Sequence, residues 1–244
     1  MSLLLIPIAP LYRSKSRLEN YLSRNQLKEL TIAMFKDLGN TLLNIKCFSE
    51  KIVYCESEEI LKLAGEYDLV GIKEYPKNPS LSFDGMITNL DRLIIDRYDP
   101  ESTVIAFLDL VLISAQNFLE INSLMKTNNL VVCPAIQSAG ISVLGRKPPD
   151  LLDSYFSHPK VPSLIALFNA ANEKGIEKIA IYDSFRASFD VDIMKDLMLA
   201  YEYLKIFNLE ETETYKFLKK NLKLSIHKTM ENNNREFAIT DKKI

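Results

Sequence analysis

Short, nearly unbroken apolar runs recur along this chain, and most are followed by a segment whose apolar residues return at helical spacing. Leu3–Ile8, Thr103–Leu108 and Leu130–Cys133 are the clearest such runs. Runs of this kind suit strands buried on both faces of a parallel sheet. Ile45–Cys55, Leu69–Ile72 and Ile179–Tyr182 read as further strands, and Val143–Leu144 as a short apolar piece. Between them, Asn25–Leu43 sets Leu27, Leu30, Met34, Phe35, Leu38 and Leu42 at the i, i+3, i+4 spacing of a helix face. Ser57–Ala64 predicts a short helix with Ser57 as N-cap, and Pro162–Lys174 a helix closed by Gly175. Asp84–Asp96, Ala115–Met125 and Asp192–Leu204 complete the helical set. Strands alternating with helices predict βαβ units, a mostly parallel α/β sheet and right-handed crossovers.

A chain of 244 residues can hold one sizeable α/β domain. The division expected is an α/β domain over residues 1–208 and a charged C-terminal appendage over 209–244, because charged residues crowd the chain from Glu210 onward. Within the appendage Phe217–Ile226 predicts an amphipathic helix suited to covering a partner subunit in a homodimer, and the last dozen residues are expected to be mobile. The formal charge of −2 supplies no global positive field for nucleic acid. Cys47, Cys55 and Cys133 are scattered without a CxxC pair, which argues against structural zinc and a disulfide framework and for a reducing, cytoplasmic setting. The apolar start is too short to span a membrane and lacks a basic n-region, so it reads as the first core strand.

Three constellations could carry chemistry. The first is Asp109 at the end of the run Val104–Leu108. Ligands of open α/β sheets sit outside the carboxyl ends of the strands, and a carboxylate there can hold Mg²⁺ against substrate phosphates. Capping the helix that begins near Ser114 is the alternative use. The second is Asp190-Val191-Asp192, two carboxylates at i and i+2 that an extended segment projects to one side. Asp192 alone could be a helix cap; Asp190 needs another explanation. The third is the loop Arg13-Ser14-Lys15-Ser16-Arg17 directly after the first strand, whose cations and amides could surround a triphosphate or simply face solvent. His158 and His227 have no partners at triad spacing, and the aromatic residues are spread at core spacing.

The order of these features resembles the 2-phospho-L-lactate guanylyltransferase family of coenzyme F420 biosynthesis. Ile6 to Leu18 resembles its opening strand and Ala-Lys-x-Arg-Leu-like loop, Asp109 to Ile113 its Asp-Leu-Pro-Leu-Leu segment, and Phe189 to Leu197 its Leu-Asp-Val-Asp-Thr-Pro-Glu-Asp-Leu. The likeness spans Leu3 to Leu204, and the Asp-Val-Asp segment is its most specific part. The resemblance implies a three-layer α/β/α sandwich of the nucleotide-diphospho-sugar transferase, glycosyltransferase-A-like type. It further implies transfer of a nucleoside monophosphate from GTP to a small phosphorylated acid with release of pyrophosphate. Asp109, Asp190 and Asp192 would then bind Mg²⁺, while Arg13, Lys15 and Arg17 face the phosphates and Asp84 the base.

The same comparison places the acceptor near Ser142, Lys160 and Ser163, where the chain departs from the pattern. The family's Gly-Gly-Thr-Asn appears as Ala139-Gly140-Ile141-Ser142, the histidine four residues after Ser163 is Leu167, a glycine has become Lys160, and Leu-Asn has become Phe83-Asp84. A hydroxyl or amide lost opposite a buried mate costs on the order of 1–3 kcal/mol. Such departures point to a member with an altered acceptor, with a non-catalytic nucleotide-binding relative and a glycosyltransferase using a sugar nucleotide as the competing readings.

Overall fold

The computed structural model describes residues 1–12, 14–75, 82–136, 138–222, 224–229 and 237–241. In chain order the elements are β1 (Ser2–Ile8), α1 (Arg24–Leu42), β2 (Glu50–Cys55), α2 (Glu58–Glu66), β3 (Val70–Lys73), α3 (Phe83–Tyr98), β4 (Ser102–Ala106), α4 (Ala115–Met125), β5 (Leu130–Pro134) and β6 (Ile141–Arg146). They continue with α5 (Ser163–Glu173), β7 (Ile179–Ile181), α6 (Phe185–Ser188), α7 (Met194–Ile206), α8 (Glu213–Asn221), β8 (Leu224–Lys228) and β9 (Phe237–Asp241). Seven strands form one sheet in the order β3-β2-β1-β4-β6-β5-β7. β6 runs antiparallel to both of its neighbours and the remaining pairings are parallel.

Alternation within the apolar runs splits the interior into two layers. Leu4, Ile6, Val53, Val104 and Val131 face a cluster built with α1, α2, α4, α7 and α8. Leu3, Leu5, Ile52, Ile105 and Val132 face a second cluster built with α3 and α5. The α/β/α sandwich implied by the family resemblance is therefore the fold. Local signals set several boundaries. Ser57 Oγ accepts from the Ile60 amide, and Gly175 takes φ +64, the left-handed position that terminates α5 without steric cost. Ser23 and Gln26 form a reciprocal capping box at the start of α1.

Elsewhere the expected bounds shift. β2 begins at Glu50 rather than Ile45, and β4 stops at Ala106, so Asp109 lies in a turn three residues beyond the strand. α6 was not anticipated, and α7 starts at Met194 instead of Asp192. The helix expected over Phe217–Ile226 ends at Asn221; Leu224–Lys228 is instead a strand paired antiparallel with Phe237–Asp241. The C-terminal stretch expected to be mobile thus contributes a strand. The apolar face of α8 is turned inward as well: Tyr215, Phe217 and Leu218 join the α1 side of the core, where Leu218 has no exposed surface. That face is used within the chain. Among the described residues no helix is long and apolar enough to cross a membrane.

Candidate active site

The basic loop after β1 is held at several points. Leu18 is fully buried and plugs its far end into the core. Ser14 Oγ lies 3.0 Å from Thr31 Oγ1 on α1, and Arg24 Nη1 donates to the Ser14 carbonyl at 3.2 Å. Lys15 itself sits at φ 54, ψ 35, a left-handed conformation rare for a residue with a Cβ and found where the surroundings over-determine it. The consequence is that Lys15 points inward across the carboxyl end of the sheet. Its Nζ donates to Asp109 Oδ2 at 2.8 Å and to the Val191 carbonyl at 2.7 Å, with only 11% of the lysine side chain exposed. Two residues on, Arg17 Nη1 donates to Asp192 Oδ2 at 2.6 Å in a more exposed pair. Arg13, the third cation of the loop, lies outside the described residues.

Asp109, Asp190 and Asp192 line one cleft at this end of the sheet, and neither Asp109 nor Asp192 caps the helix that follows it. Asp109 caps no helix: Asn117 Oδ1 accepts from the Ser114 amide and hydroxyl at the start of α4. Asp192 does not cap α7, because Asp196 Oδ2 accepts from the amides of both Asp192 and Ile193. Asp190 is the most perturbed of the set. Burial, reinforced by the neighbouring charges of Asp109 and Asp192, pushes its carboxyl up to about 7. Its Oδ1 is buried with no hydrogen-bond partner.

A raised acid pKa stabilises the folded protein fully below the unfolded-state pKa near 4, and that contribution is lost as pH rises through about 7. Asp190→Asn is therefore expected to remove this part of the pH dependence. Unfolding free energies of the metal-free protein from urea titrations between pH 4 and 8 should fall more steeply for the wild type than for the variant, by roughly 2–3 kcal/mol over the range. Parallel slopes would refute this assignment.

The chemistry of the donor set suits a hard cation: three carboxylates, one of them with an orphaned buried oxygen. In the present arrangement no three Asp, Glu, His or Cys side chains among the described residues converge closely enough to share a metal. Lys15 and Arg17 instead neutralise two of the carboxylates.

Two adjoining clefts open at this point. One, of about 510 Å³, runs between the end of β1, the Ser14–Arg17 loop and Asp109. The other, of about 420 Å³, is lined by Ser138, Ser142, Ser163, Asp190 and Asp192. They share Arg17, Phe83, Phe107, Asp109 and Asp192.

Lys15, Arg17 and the aspartates thus face a common space, with Ser142 and Ser163 beside it. Ser142 is nearly buried, its hydroxyl donating to the Cys133 carbonyl at 3.0 Å. Lys160 is exposed and lines neither cleft. Asp84, expected at the base, lines neither cleft either. Its carboxylate accepts from the Phe156 amide at 2.6 Å, the Ser157 amide at 2.8 Å and both serine hydroxyls, Ser154 and Ser157. Burial alone would raise its pKa, yet these bonds hold it below the usual carboxylate range. Asp84 is an anchor for the loop before α5. The aromatic residues at the cleft junction were not singled out by spacing.

A nearly buried lysine and three carboxylates thus lie at the carboxyl end of the sheet, the place where open α/β folds bind their ligands. The chain belongs to the guanylyl transferase CofC-like family, which it matches over residues 2–240. It is 27% identical over 219 residues to a 2-phospho-L-lactate guanylyltransferase from Methanocaldococcus vulcanius, covering 89% of this chain and 90% of that one. The corresponding enzyme of Methanocaldococcus jannaschii is 26% identical over 194 residues, 79% of each chain. Among solved structures, a nucleotidyl transferase from Methanothermobacter thermautotroptrophicus superposes with a TM-score of 0.60 at 15% identity, covering 91% of this chain and 99% of that one. A CMP:2-keto-3-deoxy-manno-octonic acid synthetase complexed with CTP gives 0.55 at 12%, with 86% and 99% covered. These structural likenesses establish the fold.

Proposed function

We propose that this enzyme joins the nucleoside monophosphate of GTP to a small phosphorylated acid. An acceptor phosphate oxygen forms a bond to the α-phosphorus as the bond from that phosphorus to the bridging oxygen breaks, and pyrophosphate departs. The observation that carries the reading is the Lys15 ammonium of one cleft held against Asp109, which lines both. One cleft offers cations for a triphosphate; the other offers Ser163 and the aspartates for an acceptor. GTP is favoured because the matched relatives are guanylyltransferases.

Lys15 and Arg17, with Arg13, hold the β- and γ-phosphates and offset the charge that builds on the leaving group. Asp109 and Asp192 are the residues that would hold Mg²⁺, with Asp190 completing or orienting the set. The ion supplies charge neutralisation at the reacting phosphate. Catalysis then rests on positioning and electrostatics, with no protein nucleophile.

The test is a pyrophosphate-release assay with GTP, CTP and ATP, with and without Mg²⁺, against small phosphorylated acids such as 2-phospholactate, paired with calorimetric titration of each nucleotide. Release that requires GTP, Mg²⁺ and acceptor together is the expected result. Tight nucleotide binding without pyrophosphate from any acceptor would make the protein a binding relative. Sugar transfer from a sugar nucleotide would replace the reaction altogether.

A further inference from the structure

Phe83, Phe107 and Phe156 come from the start of α3, the segment after β4 and the loop before α5, and they meet as one aromatic cluster. Ring centroids lie 5.9 Å apart for Phe83–Phe107, 5.7 Å for Phe83–Phe156 and 5.0 Å for Phe107–Phe156. These are the separations of tilted and edge-to-face pairs. All three line the acceptor cleft, Phe83 and Phe107 at its junction with the neighbouring cleft and Phe156 in the acceptor cleft alone, and Phe83 remains 36% exposed.

The backbone of Phe156 is held by two side chains of this region. The Phe156 amide donates to Asp84 Oδ1 at 2.6 Å, and the Phe156 carbonyl accepts from Ser163 Oγ at 3.2 Å. Both polar groups of one peptide position are thus pinned by side chains, and Asp84 follows Phe83 directly in the chain. The start of α3 and the wall of the acceptor cleft therefore form a single rigid unit.

The rest of that cleft is also short of charge complementary to an anion. Among its described lining residues Arg17 is the cation, and it is already paired with Asp192. Ala135 and Ile141 add hydrocarbon, and the Ser142 hydroxyl is committed to the Cys133 carbonyl. An acceptor's anionic end would sit beside Arg17, with a cation needed to offset the aspartates; what lies beyond meets the three rings, Ala135 and Ile141, with Ser138 and Ser163 as the other polar lining.

We infer that Phe83, Phe107 and Phe156 form an apolar acceptor subsite, and that the acceptor is a phosphorylated acid bearing a hydrocarbon or ring group larger than a methyl. This rests on the reaction proposed above for the choice of cleft. Phe107 and Phe156 pack partly against the core and Phe83 is exposed, so a compact acid would leave the cleft side of the cluster wet, whereas a larger apolar group would bury against it. Phe156 is then a specificity-determining residue.

The experiment titrates 2-phospholactate and 2-phospho-3-phenyllactate into the protein saturated with Mg²⁺ and α,β-methylene GTP. It is repeated on Phe156→Ala and Phe156→Leu, with pyrophosphate release from GTP measured alongside. The phenyl acid should bind the wild type at least about tenfold more tightly than 2-phospholactate. Phe156→Ala should erase the preference while nucleotide affinity stays within about twofold, and Phe156→Leu should keep most of it.

Equal or tighter binding of 2-phospholactate, no binding of the phenyl acid, or a loss in Phe156→Ala shared equally with the nucleotide would overturn the subsite. The two readings separate cleanly. A binding preference with no pyrophosphate from either acid sinks the reaction and leaves the subsite, while pyrophosphate from 2-phospholactate without preference does the reverse.

Discussion

Asp109→Asn is expected to lower the rate of pyrophosphate release by about a thousandfold while leaving the unliganded protein at least as stable as the wild type. The two effects share one cause. Asp109 stands close enough to Asp190 to help hold that carboxyl protonated near neutral pH, so removing its charge relieves repulsion in the folded state. In the proposed reaction the same charge would hold a cation at the transferring phosphate, where losing a preorganised electrostatic partner commonly costs 10²–10³ in turnover, or roughly 3–4 kcal/mol. The checks are initial rates with saturating nucleotide and a urea titration at pH 8. A variant that released pyrophosphate at the wild-type rate would remove Asp109 from the mechanism. One that unfolded at lower urea would mean that its pairing with Lys15 outweighs the repulsion.

Lys15→Met should have a comparable effect on turnover, about a hundred- to a thousandfold, with the opposite effect on stability. Its ammonium is nearly buried and answers both Asp109 and the Val191 carbonyl. Removing one partner of such a pair leaves the other as an uncompensated charge, here beside two more carboxylates. A loss of about 2 kcal/mol in the metal-free protein follows, below the roughly 3–5 kcal/mol typical of fully buried pairs because Lys15 keeps some contact with solvent.

Mg²⁺ alone should restore much of that loss in Lys15→Met and do little for the wild type, because the lysine no longer competes for Asp109. Thermal denaturation with and without millimolar Mg²⁺ reads this directly, through the stabilisation expected from any ligand that binds only the folded state. If Mg²⁺ shifts both proteins equally, the lysine does not compete with the ion for these carboxylates.

The layers of the fold were legible in the chain because a strand buried on two faces has no room for polar residues. Leu3–Ile8 could hardly be read otherwise, and its alternate members do serve opposite faces. What periodicity lacks is direction and an end point. Nothing in Ile141–Arg146 says that it runs antiparallel to β4 and β5. The apolar Phe107 and Leu108 prolong the run of β4 past Ala106, where the chain has already begun to turn. Apolar spacing also carries on smoothly through Phe217–Ile226, so it hides the change from helix to strand after Asn221.

The site divides the same way. The aspartates could be picked out because a carboxylate at a strand end, and a second pair at i and i+2, have few structural uses. Asp84 could not be placed, since its hydrogen-bond partners lie 70 to 73 residues further along the chain. The aromatic cluster is equally invisible to local spacing: its three rings come from segments that only the fold brings together.

One peptide unit has a role in time as well as in space. The Val191 amide donates to the Asp109 carbonyl at 3.2 Å, and the Val191 carbonyl accepts from Lys15, 176 residues away in the chain. The first loop, the middle of the chain and its final third are thus closed by the backbone of a single residue. Contacts of such separation carry a large loop-closure cost and tend to form late. A nascent chain that stops short of Val191 can hold all seven strands of the sheet yet lacks the carbonyl that seats Lys15 beside Asp109. The pairing at the carboxyl end of the sheet is therefore completed by a residue synthesised after every strand of that sheet.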